Sequence, residues 1–118
     1  MPYTIGEVAR MMNIAPSTLR YYEKEGLLSL GVRASNGQRT YTDDDIATLS
    51  IIEYLKFCGL PLKEIRSFLP LVQPGGETLE ARRAIMAKER DNVLAQIAAL
   101  QTKLERLEFG CWYFGTAE

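Results

Sequence analysis

The chain has 118 residues, 47% of them hydrophobic and 25% charged, with fourteen basic side chains against fifteen acidic and a formal net charge of −1. That length holds one small domain, or a very small domain with a helical extension, and excludes a Rossmann enzyme or a barrel. Histidine is absent and the two cysteines, Cys58 and Cys111, have no zinc spacing, so composition argues against hydrolytic or zinc catalysis, and any polyanion surface has to be local.

The opening reads as a short helix. Thr4 and Glu7 have capping-box spacing, and Ile5, Val8, Ala9 and Met12 form one apolar stripe. Asn13 to Ala15 break the pattern and Pro16 suits the first position of a second helix. That helix turns Leu19 and Tyr22 inward and stops near Gly26. Two short helices joined so tightly form a helix-turn-helix pattern. From Gly31 to Tyr41, Asn36-Gly37 predicts a two-residue hairpin turn with both residues at positive φ. The flanks, Val32-Arg33 and Arg39-Thr40-Tyr41, suit short strands, with Arg39 and Tyr41 on one face. The segment reads as a two-stranded wing with a basic tip.

Thr42 caps a third helix whose first turn, Asp43 to Asp45, complements the helix dipole. Ile46, Leu49, Ile52 and Tyr54 or Leu55 make it amphipathic, and Gly59 ends it. Pro61 opens a fourth helix with Ile65, Phe68 and Leu69 inward, and Pro70 to Gly76 is the clearest linker. From Thr78 to Phe109 nothing breaks a helix of roughly 45 Å. Val93, Ile97, Leu100, Leu104 and Leu107 recur at alternating steps of four and three, a heptad seam. Such a helix cannot bury its stripe on so small a body, so the expectation is pairing with a second copy. Earlier in the seam stand Arg83 and Arg90: either they reach partner carboxylates such as Glu80 or Glu105, or the register shifts there. The expected organisation is a winged helix-turn-helix domain over 1–70, a linker over 71–77, a dimerisation helix over 78–109 and an aromatic tail over 110–118.

The second helix presents Ser17, Thr18, Arg20, Tyr21 and Lys24 on non-core positions, and the wing adds Arg33 and Arg39. Hydroxyl, guanidinium and ammonium donors on a helix that fits a major groove are what phosphate and base-edge contacts require. Up to Thr42 the chain has five basic residues against three acidic, and beyond it nine against twelve. Charge alone fits an ordinary solvated surface. The succession of helix-turn-helix, wing and dimerising helix favours DNA. A coiled-coil adaptor whose winged helix binds protein is the alternative. It predicts no salt-dependent DNA affinity, whereas a DNA-binding protein loses affinity steeply with salt.

The sequence resembles the mercury-resistance-type (MerR) family of bacterial transcriptional regulators up to about residue 109. The resemblance rests on Tyr3-Thr4-Ile5-Gly6-Glu7-Val8-Ala9, on Thr18-Leu19-Arg20-Tyr21-Tyr22-Glu23 followed by Gly26-Leu27-Leu28, and on the run from Arg33 to Tyr41 leading to Asp45-Ile46. It implies an all-α fold with a small β wing: a winged helix-turn-helix homodimer joined by an antiparallel coiled coil. It implies a near-palindromic promoter operator whose distortion realigns promoter elements for RNA polymerase, at a deformation cost of a few kcal/mol. By position, Ser17, Arg20 and Tyr21 would contact DNA from the recognition helix. Arg33, Asn36, Arg39 and Tyr41 would do so from the wing, and Lys63 would reach phosphate from the fourth helix.

Departures from the family pattern are informative. Ala15 stands where a Ser or Thr cap is usual, and Gln38 replaces a common wing tyrosine. Metal-sensing members carry cysteines around the coiled-coil end, where this chain offers Cys111 alone, and one thiolate without histidine cannot close a selective soft-metal site. No metal or other cofactor is therefore expected. Cys58, Cys111, Trp112 and Tyr113 are the candidate positions for a small-molecule or electrophile effector, set against ordinary roles as a small buried residue and an aromatic staple. With no apolar run near the ~20 residues of a membrane span and no signal-peptide pattern, the expectation is a soluble, cytoplasmic, non-enzymatic regulator.

Overall fold

The computed structural model describes residues 2–29, 32–72 and 76–116, and the chain divides into two compact units, Met1–Thr78 and Leu79–Glu118. In the first unit β1 (Tyr3–Thr4) leads directly into α1 (Ile5–Met12). Thr4 accepts from the Glu7 amide at 3.2 Å while the Glu7 carboxylate takes the Thr4 N–H at 2.9 Å, the expected capping box. That backbone hydrogen bond holds the Glu7 carboxyl below its ordinary pKa. Asn13 ends α1 in the left-handed region, with Ile14 N–H bonded to Ala9 O at 3.0 Å. The turn is three residues long, and α2 (Pro16–Lys24) follows with Pro16 in its first turn and no side-chain cap from Ala15.

Gly26, at φ 77°, closes α2 by a Schellman motif: Leu27 N–H reaches Tyr22 O at 2.9 Å and Gly26 N–H reaches Glu23 O at 3.2 Å. β2 (Val32–Arg33) and β3 (Arg39–Tyr41) form the wing, and α3 (Asp43–Phe57) starts at a second capping box between Thr42 and Asp45. The same stop recurs after α3, where Leu60 N–H bonds Leu55 O at 3.1 Å and Gly59 has φ 95°. Pro61 is the N-cap of α4 (Leu62–Phe68) rather than its first residue. The linker expected over Pro70–Gly76 begins as a 3-10 turn, Leu69–Leu71, and residues 73–75 of it lie outside the described residues. Gly31, where the wing was expected to start, lies outside them as well.

The sheet has three strands in the order β1-β3-β2, not two. Tyr3 pairs with Tyr41 and Thr4 with Thr40, so the residues that cap α1 also complete the wing. The turn differs too. Ala34 N–H bonds Gln38 O at 2.7 Å around a three-residue loop, and there only Gly37 has positive φ, at 85°. A left-handed glycine closing a three-residue loop replaces the two-residue turn that Asn36-Gly37 suggested. The core collects Val8, Leu19, Tyr22, Leu49, Ile52, Leu55 and Ile65, one stripe from each helix of this unit.

The second unit is α5 (Leu79–Thr116), 38 residues and roughly 57 Å long. It passes through Gly110, beyond the end expected near residue 109, so residues 110–116 are helix rather than a separate tail. Phe109 stands 5.9 Å from Trp112 and 6.1 Å from Tyr113, ring centre to ring centre. Aromatic contacts of this kind offset the roughly 1 kcal/mol that a glycine costs a helix interior. Arg83 pairs with Glu80 at 2.6 Å and Arg90 with Asp91 at 3.1 Å, both on their own helix.

Candidate nucleic-acid interface

Helix α2 has two chemically distinct faces. Leu19 and Tyr22 are buried, while Ser17, Arg20, Tyr21 and Lys24 are exposed and Thr18 is half-buried. The buried face fixes the helix from behind. Lys56 Nζ on α3 donates to the Tyr22 hydroxyl at 2.7 Å, and that hydroxyl donates to Glu53 at 3.3 Å. Burial pushes the Tyr22 phenol above its ordinary pKa, and its hydrogen bond to Tyr22 raises that of Lys56. The five expected contact residues of α2 therefore stand on a helix that is braced against rotation.

In the wing, Arg33 and Asn36 are exposed as expected. Arg33 donates to Gly37 O at 3.0 Å, and the Asn36 side chain accepts from Gln38 N–H at 3.1 Å, which stiffens the tip. Lys63 is exposed on α4.

Arg39 and Tyr41 are buried behind this surface instead of standing exposed on it. Tyr41 is 0% exposed and Arg39 8%. The Arg39 guanidinium lies 3.9 Å from the centre of the Tyr41 ring, 3.5 Å from Glu23 of α2 and 3.6 Å from Asp45 of α3, and it donates to Ser29 O at 2.9 Å and to Thr40 O. The Tyr41 hydroxyl donates to Glu23 at 2.5 Å, and burial together with that bond pushes its pKa well up. The period of two placed both residues on one face of β3, but that face packs inward, with β3 in contact with α1. They join the wing to α2 from inside. Glu23 and Asp45 complete the joint, a role with no local signal in the sequence because it exists only once β3, α2 and α3 meet.

The exposed arginines border a cleft of about 430 Å³ between the start of α1, α2 and the wing, lined by Thr4, Ile5, Gly6, Arg20, Arg33 and Gln38 with Arg39, Tyr41 and Glu23. Three arginines against one carboxylate make it basic, in a chain whose net charge is −1. Guanidinium donors around a cleft beside an exposed helix suit a phosphate backbone whose bases meet that helix.

The second unit shows a different surface. Val93, Ile97, Leu100, Leu104 and Leu107 are 38–61% exposed, and no side chain of α5 is buried. Cys111 is exposed beside exposed Trp112 and Tyr113. Cys58 is half-buried at the end of α3, where its hydrogen bond to Tyr54 raises the phenol pKa. Among the described residues no three His, Cys, Asp or Glu side chains are grouped to hold a metal ion, and no helix is long and apolar enough to cross a membrane.

Known proteins share this arrangement. Residues 3–71 match the family model described as MerR HTH family regulatory protein, and residues 46–108 match the one described as MerR, DNA binding. An HTH-type transcriptional regulator of Haemophilus influenzae is 36% identical over 118 residues, spanning 100% of this chain and 87% of that protein. The regulator ZntR of Escherichia coli is 35% identical over 113 residues, 92% of this chain and 80% of ZntR. Among solved structures, HiNmlR, a MerR family regulator lacking the sensor domain and bound to promoter DNA, superposes with a TM-score of 0.68 at 37% identity, covering 99% of this chain and 93% of that one. A regulator from Bacillus cereus superposes with a TM-score of 0.77 at 29% identity, covering 100% of this chain and 86% of its own.

Proposed function

The chain belongs to the MerR family of helix-turn-helix regulators and is a DNA-binding transcriptional regulator, and on that premise we propose that it works as a homodimer on a near-palindromic promoter operator. The relatives favour DNA over the protein-binding adaptor, and they are regulators rather than enzymes. The observation that carries the dimer is the uncovered seam from Val93 to Leu107 on a helix with no buried side chain. Apolar rows at heptad spacing are stable in water only when a second helix covers them. Antiparallel pairing then gives two recognition helices related by a two-fold axis, which a palindromic site mirrors.

Ser17, Thr18, Arg20, Tyr21 and Lys24 read or grip the major groove, Arg33 and Asn36 grip the flanking backbone, and Lys63 reaches a further phosphate. The dimer acts in the cytoplasm on promoter DNA, activating RNA polymerase by distorting the spacer, or repressing at the same operator. The energy of deforming that DNA is set against these contacts. An organic or electrophilic effector would act at Cys58, Cys111, Trp112 or Tyr113. An isolated thiolate offers one soft ligand where a selective soft-metal site needs several.

Two measurements test the reading. Sedimentation of the purified chain should give a dimer at micromolar concentration. Fragments selected from sheared genomic DNA should share one inverted repeat inside an overlong promoter spacer. A monomer, or recovery of no common repeat at low salt, would refute it. Cys58→Ser and Cys111→Ser variants with an unchanged promoter response to electrophiles would remove the thiols from the effector site.

A further inference from the structure

Gly6 occupies the second position of α1 and lines the basic cleft. Nothing in the fold requires glycine there. Its backbone is not left-handed, and a Cβ built on it would meet only Arg10 Nη1 at 3.7 Å and Thr4 Oγ1 at 4.0 Å, ordinary contacts. Glycine weakens a helix relative to alanine, so its value at such a position lies in the close approach it permits. Its N–H is one of the first-turn amides that have no acceptor within their own helix. The neighbouring Glu7 carboxylate is turned back onto Thr4 N–H and does not line the cleft.

The rest of the cleft has the charge to match. Arg20 is exposed and, among the described residues, forms no hydrogen bond or ion pair within the protein. Arg33 is exposed on the wing side. Arg39 also lines the cleft, but its guanidinium is committed to Glu23, Asp45 and the Ser29 and Thr40 oxygens, which leaves Arg20 and Arg33 as the exposed cations. Glu23, the one carboxylate in the lining, is engaged by Tyr41 and Arg39.

We propose that one phosphate of the DNA backbone seats in this cleft, against the bare Gly6 amide and between Arg20 and Arg33. The proposal rests on the DNA-binding role and adds to it a contact from α1, an element outside the recognition helix and the wing. A phosphate so held fixes the depth at which the recognition helix enters the groove, since α1 and α2 are packed on each other.

The test compares the full chain with its Gly6→Ala variant. The probe is one duplex selected from a random-sequence pool by the unaltered protein, together with a set of the same duplex carrying single neutral methylphosphonates. Gly6→Ala should melt at the same temperature or higher, bind roughly tenfold more weakly, and lower the salt slope by about one. One methylphosphonate should weaken the unaltered chain yet cost the variant nothing further, which ties the lost contact to a single phosphate. Equal affinity for the two proteins overturns the proposal. So does a variant that binds weakly while every methylphosphonate costs both proteins alike. If Gly6→Ala melts lower, Arg33→Gln decides: it should cancel the penalty of the same single methylphosphonate, and no cancellation at any position overturns the seat. An unaltered chain that binds no duplex in a salt-dependent way overturns the DNA-binding role itself.

Discussion

Replacing Arg39 with methionine removes a charge from the joint between wing and recognition helix while keeping most of the side-chain length. It leaves Glu23 and Asp45, whose side chains are 13% and 14% exposed, without the cation that stood 3.5 and 3.6 Å away. Removing one partner of a buried ion pair costs about 3–5 kcal/mol, because the remaining charge has lost its solvent without compensation. Both carboxylates keep some water and keep other donors, Tyr41 and the Thr42 amide, which argues for the lower part of that range. The stacking on Tyr41 and the bonds to Ser29 and Thr40 oxygens overlap with the same term, so about 3 kcal/mol is the expected loss. For a unit of this size that is a fall in melting temperature on the order of 12 °C or more. Near-ultraviolet circular dichroism of the tyrosines follows it, with protomer concentration held fixed because the proposed pairing would contribute to stability. Adding Glu23→Gln to Arg39→Met should recover part of the loss. Refutation would be an Arg39→Met protein that melts like the parent yet binds DNA weakly with a salt slope reduced by about one, since that is the signature of a phosphate contact.

Other consequences follow from the same geometry. Arg20→Ala and Arg33→Ala should each weaken duplex binding and lower the salt slope by about one while leaving the melting temperature within a few degrees; a large fall in stability would show them to be structural. Leu100→Lys should raise the dimer dissociation constant by roughly a hundredfold or more, because a homodimer carries the change twice, as sedimentation at micromolar concentration would show. The phenols of Tyr22 and Tyr41 have folded pKa values above the ordinary 10.0, so their contribution to stability is complete below that pH and is lost as pH rises toward the folded values. Alkaline unfolding should therefore begin near pH 10, and Tyr41→Phe should flatten that fall while lowering stability at neutral pH by about 1–2 kcal/mol for the lost Glu23 bond.

What the sequence made legible was set by chemistry within a few residues. Thr4 with Glu7 caps α1 as its spacing says, and Thr42 caps α3 as expected. Gly26 and Gly59 are left-handed stops because the helices before them end in Schellman motifs. The heptad seam sits at the exposed positions its spacing marks out. The misread features depend on residues distant in sequence. Strand β1 is two residues long and exists through the pairing of Tyr3 with Tyr41 and Thr4 with Thr40, partners far along the chain. Alternation along β3 placed Arg39 and Tyr41 together, but only the packing of β3 on α1 decides that their face is the inner one, and a basic residue in a basic-looking wing concealed it. One miss was local: α5 continues through Gly110, past the end expected near residue 109, where the Phe109 ring packs against Trp112 and Tyr113.

Helix α5 has 38 residues and buries none of their side chains. In the homodimer proposed above, its order would be coupled to finding a second copy, and the dissociation constant of the pair would set a threshold of abundance. Chains below that threshold would present an uncovered apolar row to cellular proteases, and paired chains above it would persist. Occupancy at a promoter would then rise more steeply than the number of chains synthesised, so a small change in expression would become a sharper change in regulation before any effector arrives.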